Sequence, residues 1–303
     1  MSATITTAPL NATFPILQAA CEETGLPAEG AELIRDMDNA MWRLPGTGTV
    51  ARVHGPGTEP VARNEVRGAY WLYANHIPVA LPRHAEPVLV DGRPVTFWTD
   101  LGNGGPTTPG EIARILRDLH NLPVPAPAEV PLPTYNPFLL LPGQIDAAQT
   151  TDEAKAWLHA YTAELREQWL ALDWPTATCV IHGDSGPGNT MVTASGPHLI
   201  DLERLSIGHR EWDQATAAWQ TDTFGAPADS YAAFRQVYRA DVTQWTSGYT
   251  LIRDVRSLSA CLFSLRHADK SDAARTEANY RLDCLRGQAG DRPWAWARPR
   301  SAR

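Results

Sequence analysis

The stretch CVIHGDSGPGNTMV, residues 179–192, sets an aspartate, a serine and an asparagine directly after an apolar run. Asp184 follows "CVI", the pattern of a short buried strand, so its carboxylate should emerge at a loop. Asn189 lies five residues further on, close enough to share that loop. "TMVTASGPHLIDLE" reads as two strands joined at Ala194-Ser195-Gly196, a hairpin that folds Asp201 back beside Asn189. Asp184 could then take or orient the proton of a hydroxyl. Asn189 and Asp201 would offer hard oxygen ligands to Mg²⁺, which together is the equipment of phosphoryl transfer.

The same residues admit a second chemistry. Gly183-Asp184-Ser185-Gly186 matches the surroundings of the nucleophile in chymotrypsin-like serine proteases. That reaction needs a histidine base and a buried aspartate to orient it. His54, His76, His84 and His120 precede the serine, and none stands in a context resembling a protease histidine motif. The later half is helical in pattern, without the many short strands of a double β-barrel. The apolar strand also ends on the aspartate, not on the serine.

The elements that must position these residues can be read along the chain. A helix is expected within 14–36, followed by "AELIRD". Strand-like runs cover 40–45 and 49–55, joined by the turn residues Gly46-Thr47-Gly48. "PVARNEVRGAYWLYANH" carries apolar residues at helical spacing, and Asp91-Gly92 joins two further strands. The first section therefore reads as a small sheet with one long helix inserted after its third strand. Gly, Asn, Thr and Pro around 101–109 mark a linker. Helical patterns follow in "PGEIARILRDLHNL" and in 151–172, 211–220, 229–247 and 250–286, interrupted by a short β island that holds the aspartates. A proline-rich run, "PVPAPAEVPLP", reads as an extended surface segment, and the tail "GQAGDRPWAWARPRSAR" as polar and Arg-rich.

His-x-Asp-x-x-x-x-Asn in "HGDSGPGN", followed by "IDLE", resembles the aminoglycoside phosphotransferase and choline kinase-like superfamily, relatives of the protein kinases. "SIGHREWDQATAAW" resembles that superfamily's next segment through Gly208 and Asp213. The resemblance implies an α+β, two-lobed protein kinase-like fold. Its nucleotide-binding lobe, with an antiparallel sheet, would span 1–101, and a larger helical lobe with the catalytic loop and acceptor site would span 102–303. It implies ATP or GTP as cosubstrate with Mg²⁺. Asp184, Asn189 and Asp201 would be catalytic, with the last two holding the metal. Arg52 stands where a protein kinase has its phosphate-anchoring lysine, the chain having no lysine before Lys155. Its partner would be Glu65 on the following helix. The nucleotide cover falls at "RDMDNA", 35–40, which has no glycine, carries Asp36 and Asp38, and places Asn39 where the superfamily often has an asparagine. "FWTDL" resembles the hinge that reads the base, through Trp98, Thr99, Asp100 and Leu101. His182 would brace the loop, Glu203 would support the metal, and Asp213 would order the catalytic loop.

Composition bounds the partners. A net charge of −8 speaks against a general nucleic-acid binder. No run approaches the roughly 18 apolar residues of a membrane span, and "MSATITTAPLNATFPI" lacks the basic and apolar regions of a signal peptide. Four scattered cysteines read as reduced thiols, which suits a cytoplasmic protein. Residues 101–250 hold 8 basic against 17 acidic side chains, which suggests a hydroxylated small-molecule acceptor bearing an amine, such as an aminoglycoside, a basic peptide antibiotic or an amino alcohol. The resemblance equally implies sugars and homoserine-like metabolites, between which charge alone does not choose. Glu211, Asp222, Asp229 and Asp241 are the candidate carboxylates for it, and antibiotic resistance is one role this would serve. The glycine-free cover leaves open a second class, a nucleotide-binding regulatory module without turnover. Oligomeric state is not legible.

Overall fold

The computed structural model describes residues 11–105 and 107–297. Most of the N-terminal stretch read for a signal peptide, Pro106 of the expected linker and the end of the Arg-rich tail lie outside the described residues. Helix α1 (Phe14–Thr24) has Pro15 in its first turn and stops at Gly25, whose φ of 71° ends the helix in a left-handed conformation.

Five strands follow: β1 (Glu32–Asp36), β2 (Ala40–Leu44), β3 (Thr49–Val53), β4 (Val88–Val90) and β5 (Arg93–Thr99), with helix α2 (Glu59–Ala74) inserted after the third. They form one antiparallel sheet in the order β1-β2-β3-β5-β4. The β4–β5 hairpin turns on Asp91 and Gly92, with φ of 49° and 73°, the mirror-image turn that Asp-Gly favours. Alternation along β2 buries Ala40, Trp42 and Leu44 against α1 and leaves Met41 and Arg43 to face the cleft.

The remainder is mostly helical. Helix α3 (Pro109–His120) opens with a capping box, in which the Thr108 side chain accepts from the Glu111 amide while Glu111 reaches back to the Thr108 amide. Helices α4 (Leu141–Asp146), α5 (Asp152–Leu170), α6 (Arg210–Phe224), α7 (Ala228–Tyr238), α8 (Thr246–Arg266) and α9 (Asp272–Leu285) follow. Two of the expected helices are shorter. The pattern over 229–247 is interrupted at Arg239, which takes a φ of 68°, and that over 250–286 divides at Ser271, whose side chain caps α9 by accepting from the Ala274 amide. The β island is two separate pairs. Strand β6 (Cys179–Ile181) pairs with β9 (Ser206–Gly208), and β7 (Thr190–Thr193) pairs with β8 (Gly196–Leu199).

One apolar cluster joins the two halves. Val66, Ala69 and Leu72 of α2 pack with Ile112, Leu116 and Leu119 of α3 and with Leu199, Leu202 and Leu205 around the β7–β8 hairpin. Gly68 permits this approach, since a Cβ there would lie 2.6 Å from the Leu205 side chain. Helix α2 is thereby pressed onto the segment that carries Asp201. All four cysteines are buried and free, and among the described residues no helix is long and apolar enough to cross a membrane.

Candidate active site

Asp184 sits immediately beyond β6, in a loop fixed from beneath. The Asp213 carboxylate, fully buried in the first turn of α6, accepts from the His182 amide at 2.7 Å and the Gly183 amide at 3.0 Å. His120 Nε2, at 3.1 Å, completes its partners. Burial alone would raise the Asp213 carboxyl, but the hydrogen bond from His120 and the charges around it hold it below the ordinary range. His182 lies inside the loop. Its Nδ1 accepts from the Asp184 amide at 3.3 Å and its Nε2 donates to the Ile200 carbonyl at 3.1 Å, tying the loop to the hairpin. Gly183 has φ of 81°, and a Cβ on it would stand 2.5 Å from the Arg204 carbonyl, so only glycine fits. Ser185 is buried and donates to the Asp213 carbonyl at 3.2 Å, a structural post far from nucleophilic service.

The hairpin brings the oxygen-bearing side chains together. Leu199 pairs with Thr190, and the Ile200 amide donates to the Asn189 carbonyl at 3.1 Å, which sets Asn189 and Asp201 at the same open end. Asn189 Nδ2 donates to the Asp184 carbonyl at 2.7 Å and to Asp184 Oδ2 at 3.0 Å. Its Oδ1 is thereby turned away from Asp184 and left as an acceptor. Asp201 adopts a left-handed backbone, φ of 60°, and stays partly exposed. A hard divalent cation is suited by this pair, one amide oxygen and one carboxylate facing a cleft.

Opposite stands Arg52 of β3, 6% exposed and held by three carboxylates. Nη1 is 2.9 Å from Glu65 and 3.1 Å from Asp201, and Nη2 is 2.8 Å from Glu203. Burial opposes its charge, yet these neighbours raise its pKa further. Burial pushes the Glu65 carboxyl up to about 7 against the pull of Arg52, while the Leu202 amide donates to it at 3.2 Å. Glu203 goes the other way. Its partial burial is outweighed by His54, Arg52 and Asn39, which bring it to about 2. His54, fully buried two residues along the same strand face as Arg52, has Nε2 on the Thr96 hydroxyl at 3.0 Å and Nδ1 3.5 Å from Glu203. Its pKa is lowered, chiefly by burial. His54, Glu65 and Glu203 present ligand atoms within 4.8 Å of one another, and the Arg52 guanidinium is bonded to both of these carboxylates.

The other expected contacts are distributed around one cleft of about 1090 Å³. The cover is the β1–β2 turn, and its two aspartates are both engaged. Asp36 accepts from Asn11 at 2.7 Å, and Asp38 accepts from Arg266 of α8 at 3.2 and 3.3 Å. Asn39 donates to Glu203 at 2.8 Å. Trp98 lines the cleft while its indole donates to Thr96 at 2.8 Å. In the hinge, the Thr99 amide donates to Leu81 at 2.8 Å, the Asp100 amide donates to Gly48 at 2.9 Å, and the Asp100 carboxylate meets Arg43 at 2.8 Å. Leu101 follows at the cleft edge.

The carboxylates expected to meet an amine lie elsewhere. Glu211 is buried and accepts from Thr176, Asp222 accepts from the Tyr249 hydroxyl, Asp241 pairs with Arg235, and Asp229 is exposed in the first turn of α7. None of the four lines the cleft; of the acidic residues of the middle region, Asp184, Asp201 and Glu203 do. Residues that pattern reading missed do line it: Arg204, Gln144, Ser259, Phe263 and Arg266. Arg204 adjoins the noted Glu203, but the α4 and α8 residues arrive by tertiary packing alone.

Known proteins share the fold and the family. Among solved structures, aminoglycoside phosphotransferase APH(3'')-Id from Streptomyces rimosus superposes with a TM-score of 0.57 at 20% identity, over 80% of this chain and 97% of that one. The GDP and kanamycin complex of APH(2")-IIia gives 0.62 at 15% identity, over 91% and 98%. Choline kinase LicA from Streptococcus pneumoniae gives 0.58 at 14%, over 89% and 98%. At these identities the likeness establishes the kinase-like α+β fold. No curated protein sequence matches the chain. The phosphotransferase enzyme family, APH, matches residues 30–249, which takes in the sheet, the Asp184 loop, the hairpin and α6, and the chain belongs to that family.

Proposed function

We propose that the protein transfers the γ-phosphoryl group of ATP or GTP to a hydroxyl of a small molecule in a magnesium-dependent reaction. The observation that carries this reading is the meeting of Asp184, Asn189 and Asp201 on one wall of a cleft whose opposite wall presents Arg52. At about 1090 Å³ the cleft stands at the upper end of the roughly 300–1,000 Å³ of small-molecule sites, ample for a nucleotide.

Asp184 is exposed at the loop tip, oriented by Asn189, and would take the acceptor's proton as the hydroxyl oxygen bonds to the γ-phosphorus. The bond from that phosphorus to the β–γ bridging oxygen breaks, and the nucleoside diphosphate leaves with the electron pair. Arg52 would hold the phosphates, kept charged and aimed by Glu65. Asn189 and Asp201 would hold Mg²⁺, which supplies neutralisation of charge on the phosphate oxygens. His182 and Asp213 fix the loop, so positioning and charge, with no covalent intermediate, carry the rate.

One solved relative is a complex with GDP and kanamycin, and another a complex with ADP and spectinomycin. These define useful probes, with choline as a third. The amine-bearing acceptor expected from overall charge gains no support from the carboxylates that suggested it, since they lie outside the cleft.

The experiment is γ-phosphate transfer from labelled ATP and GTP across hydroxylated compounds, with Asp184→Asn and Asp201→Ala as controls. Magnesium-dependent transfer, lost in both variants, is expected. Nucleotide binding that ignores magnesium, without any turnover, would establish the regulatory module suggested by the glycine-free cover instead.

A further inference from the structure

Resting on the phosphotransferase reading, we infer that the acceptor bears an anionic group, a carboxylate or phosphate ester, besides the hydroxyl that is phosphorylated, and that Arg204 and Arg266 recognise it.

The cleft's carboxylates are largely committed. Arg43 holds Asp100, Arg52 holds Glu65, Asp201 and Glu203, and Arg266 holds Asp38. Asp184 is the exception, and its task is the proton. The wall that the helical half adds next to it, from α4 and α8, consists of Gln144, Ser259, Phe263 and Arg266, with no carboxylate. A cationic acceptor would find little there to neutralise it.

The arginines are differently placed. Arg204 closes the short turn Leu202–Arg204 after the Asp201 hairpin, is exposed and lines the cleft. Among the described residues it enters no salt bridge, and its polar neighbours are the Tyr135 hydroxyl, Asp184 and Glu203, the last already bonded to Arg52. Arg266, the last residue of α8, gives its Nη atoms to Asp38, a side chain 58% exposed, while its Nε is buried without a partner. Asp38 is the exposed partner of this pair and Arg266 only 22% exposed, so an anionic ligand can take the place of the solvated Asp38 carboxylate on a guanidinium already held in position. A guanidinium binds carboxylate or phosphate through two parallel hydrogen bonds, a geometry that an amine cannot use. The Phe263 ring, 5.9 Å from the Arg266 guanidinium carbon, adds an apolar surface for the body of the acceptor.

Arg204 could instead meet the migrating phosphoryl group, and the test separates these roles. Transfer is measured on two matched sets that differ mainly in charge: glucuronate, glucose and glucosamine, and glycerate, glycerol and 2-aminopropane-1,3-diol. The acid of each set is expected to show the highest kcat/KM. Arg204→Gln, at an exposed position, and Arg266→Gln, at one 22% exposed, should raise KM for the acids by about tenfold or more, well beyond any change in KM for the nucleotide. The inference is overturned if the amines lead, if charge makes no difference, or if the variants shift KM for the nucleotide alone. Absence of transfer to all six also overturns it. The phosphotransferase reading falls with it only if transfer to kanamycin, spectinomycin and choline is absent as well.

Discussion

Arg52 Nη1 lies 3.1 Å from Asp201 Oδ1, joining the sheet to the hairpin directly across the cleft floor. The contact links the group proposed for the phosphates to a group proposed for the metal. Each is held by the other, and Glu65 of helix α2 holds Arg52 directly and accepts from the Leu202 amide next to Asp201. The site is therefore organised in advance, with one guanidinium shared among three carboxylates.

Removing one member should be costly. Arg52→Ala leaves Glu65, 3% exposed, with Asp201 and Glu203 close by and no cation between them. Breaking a buried pair from one side is expected to lower unfolding free energy by about 3–5 kcal/mol. Denaturant titration checks this, and Arg52→Ala with Glu65→Ala should recover part of the loss because the orphaned buried carboxylate is gone.

Asp184→Asn should separate chemistry from stability. The side chain is exposed, and an asparagine amide oxygen can still accept from Asn189 Nδ2. Unfolding free energy should stay within about 0.5 kcal/mol, while transfer falls by about 10²–10⁴-fold. Thermal melting beside single-turnover transfer reads both, and a variant retaining full transfer would remove Asp184 from the reaction.

Gly183→Ala should damage both together. The backbone there is left-handed at φ of 81°, and the added Cβ meets the Arg204 carbonyl at 2.5 Å and the Arg204 Cβ at 2.8 Å. Strain and overpacking together should cost about 2–4 kcal/mol. Denaturation midpoints give the loss. The displaced loop should also weaken transfer beyond what the remaining folded fraction explains.

Much of this site is local in sequence, which is why it can be read there. Asp184, Asn189 and Asp201 fall within one strand-loop-hairpin unit, and turn chemistry alone brings their segments together. Arg52 and Glu65 sit on adjacent elements, β3 and α2. His54 was open to the same reasoning, because residues two apart on a strand share a face. The division of α8 from α9 was also marked, by a serine with the spacing of a helix cap. The end of α7 was not, because Arg239 takes a left-handed conformation with no glycine or asparagine to announce it. Arg266 reaches Asp38 across 228 residues of chain, and no periodicity encodes such a meeting. The acidic surplus of the middle region does not locate an acceptor site, for a related reason. Charge counts ignore where side chains point, and Glu211, Asp222 and Asp241 point into pairings of their own.

Asp213 gives the pH dependence. Its folded carboxyl is held below its ordinary value, despite burial, by His120, by His182 and by the charge of Arg256, besides the two loop amides it accepts. A lowered folded pKa contributes stability above the unfolded value of about 3.9, and that contribution disappears as pH falls through the folded value. Asp213→Asn lacks the contribution at every pH and turns an amide donor toward groups that already donate. At pH 7 the variant should be less stable by about 3 kcal/mol. Below about pH 4 the wild type should approach it, as protonation of Asp213 removes the same charge. Melting curves from pH 7 to pH 3 on both proteins measure the gap. A gap that stayed constant across that range would mean that the ionised carboxylate is not what holds the loop.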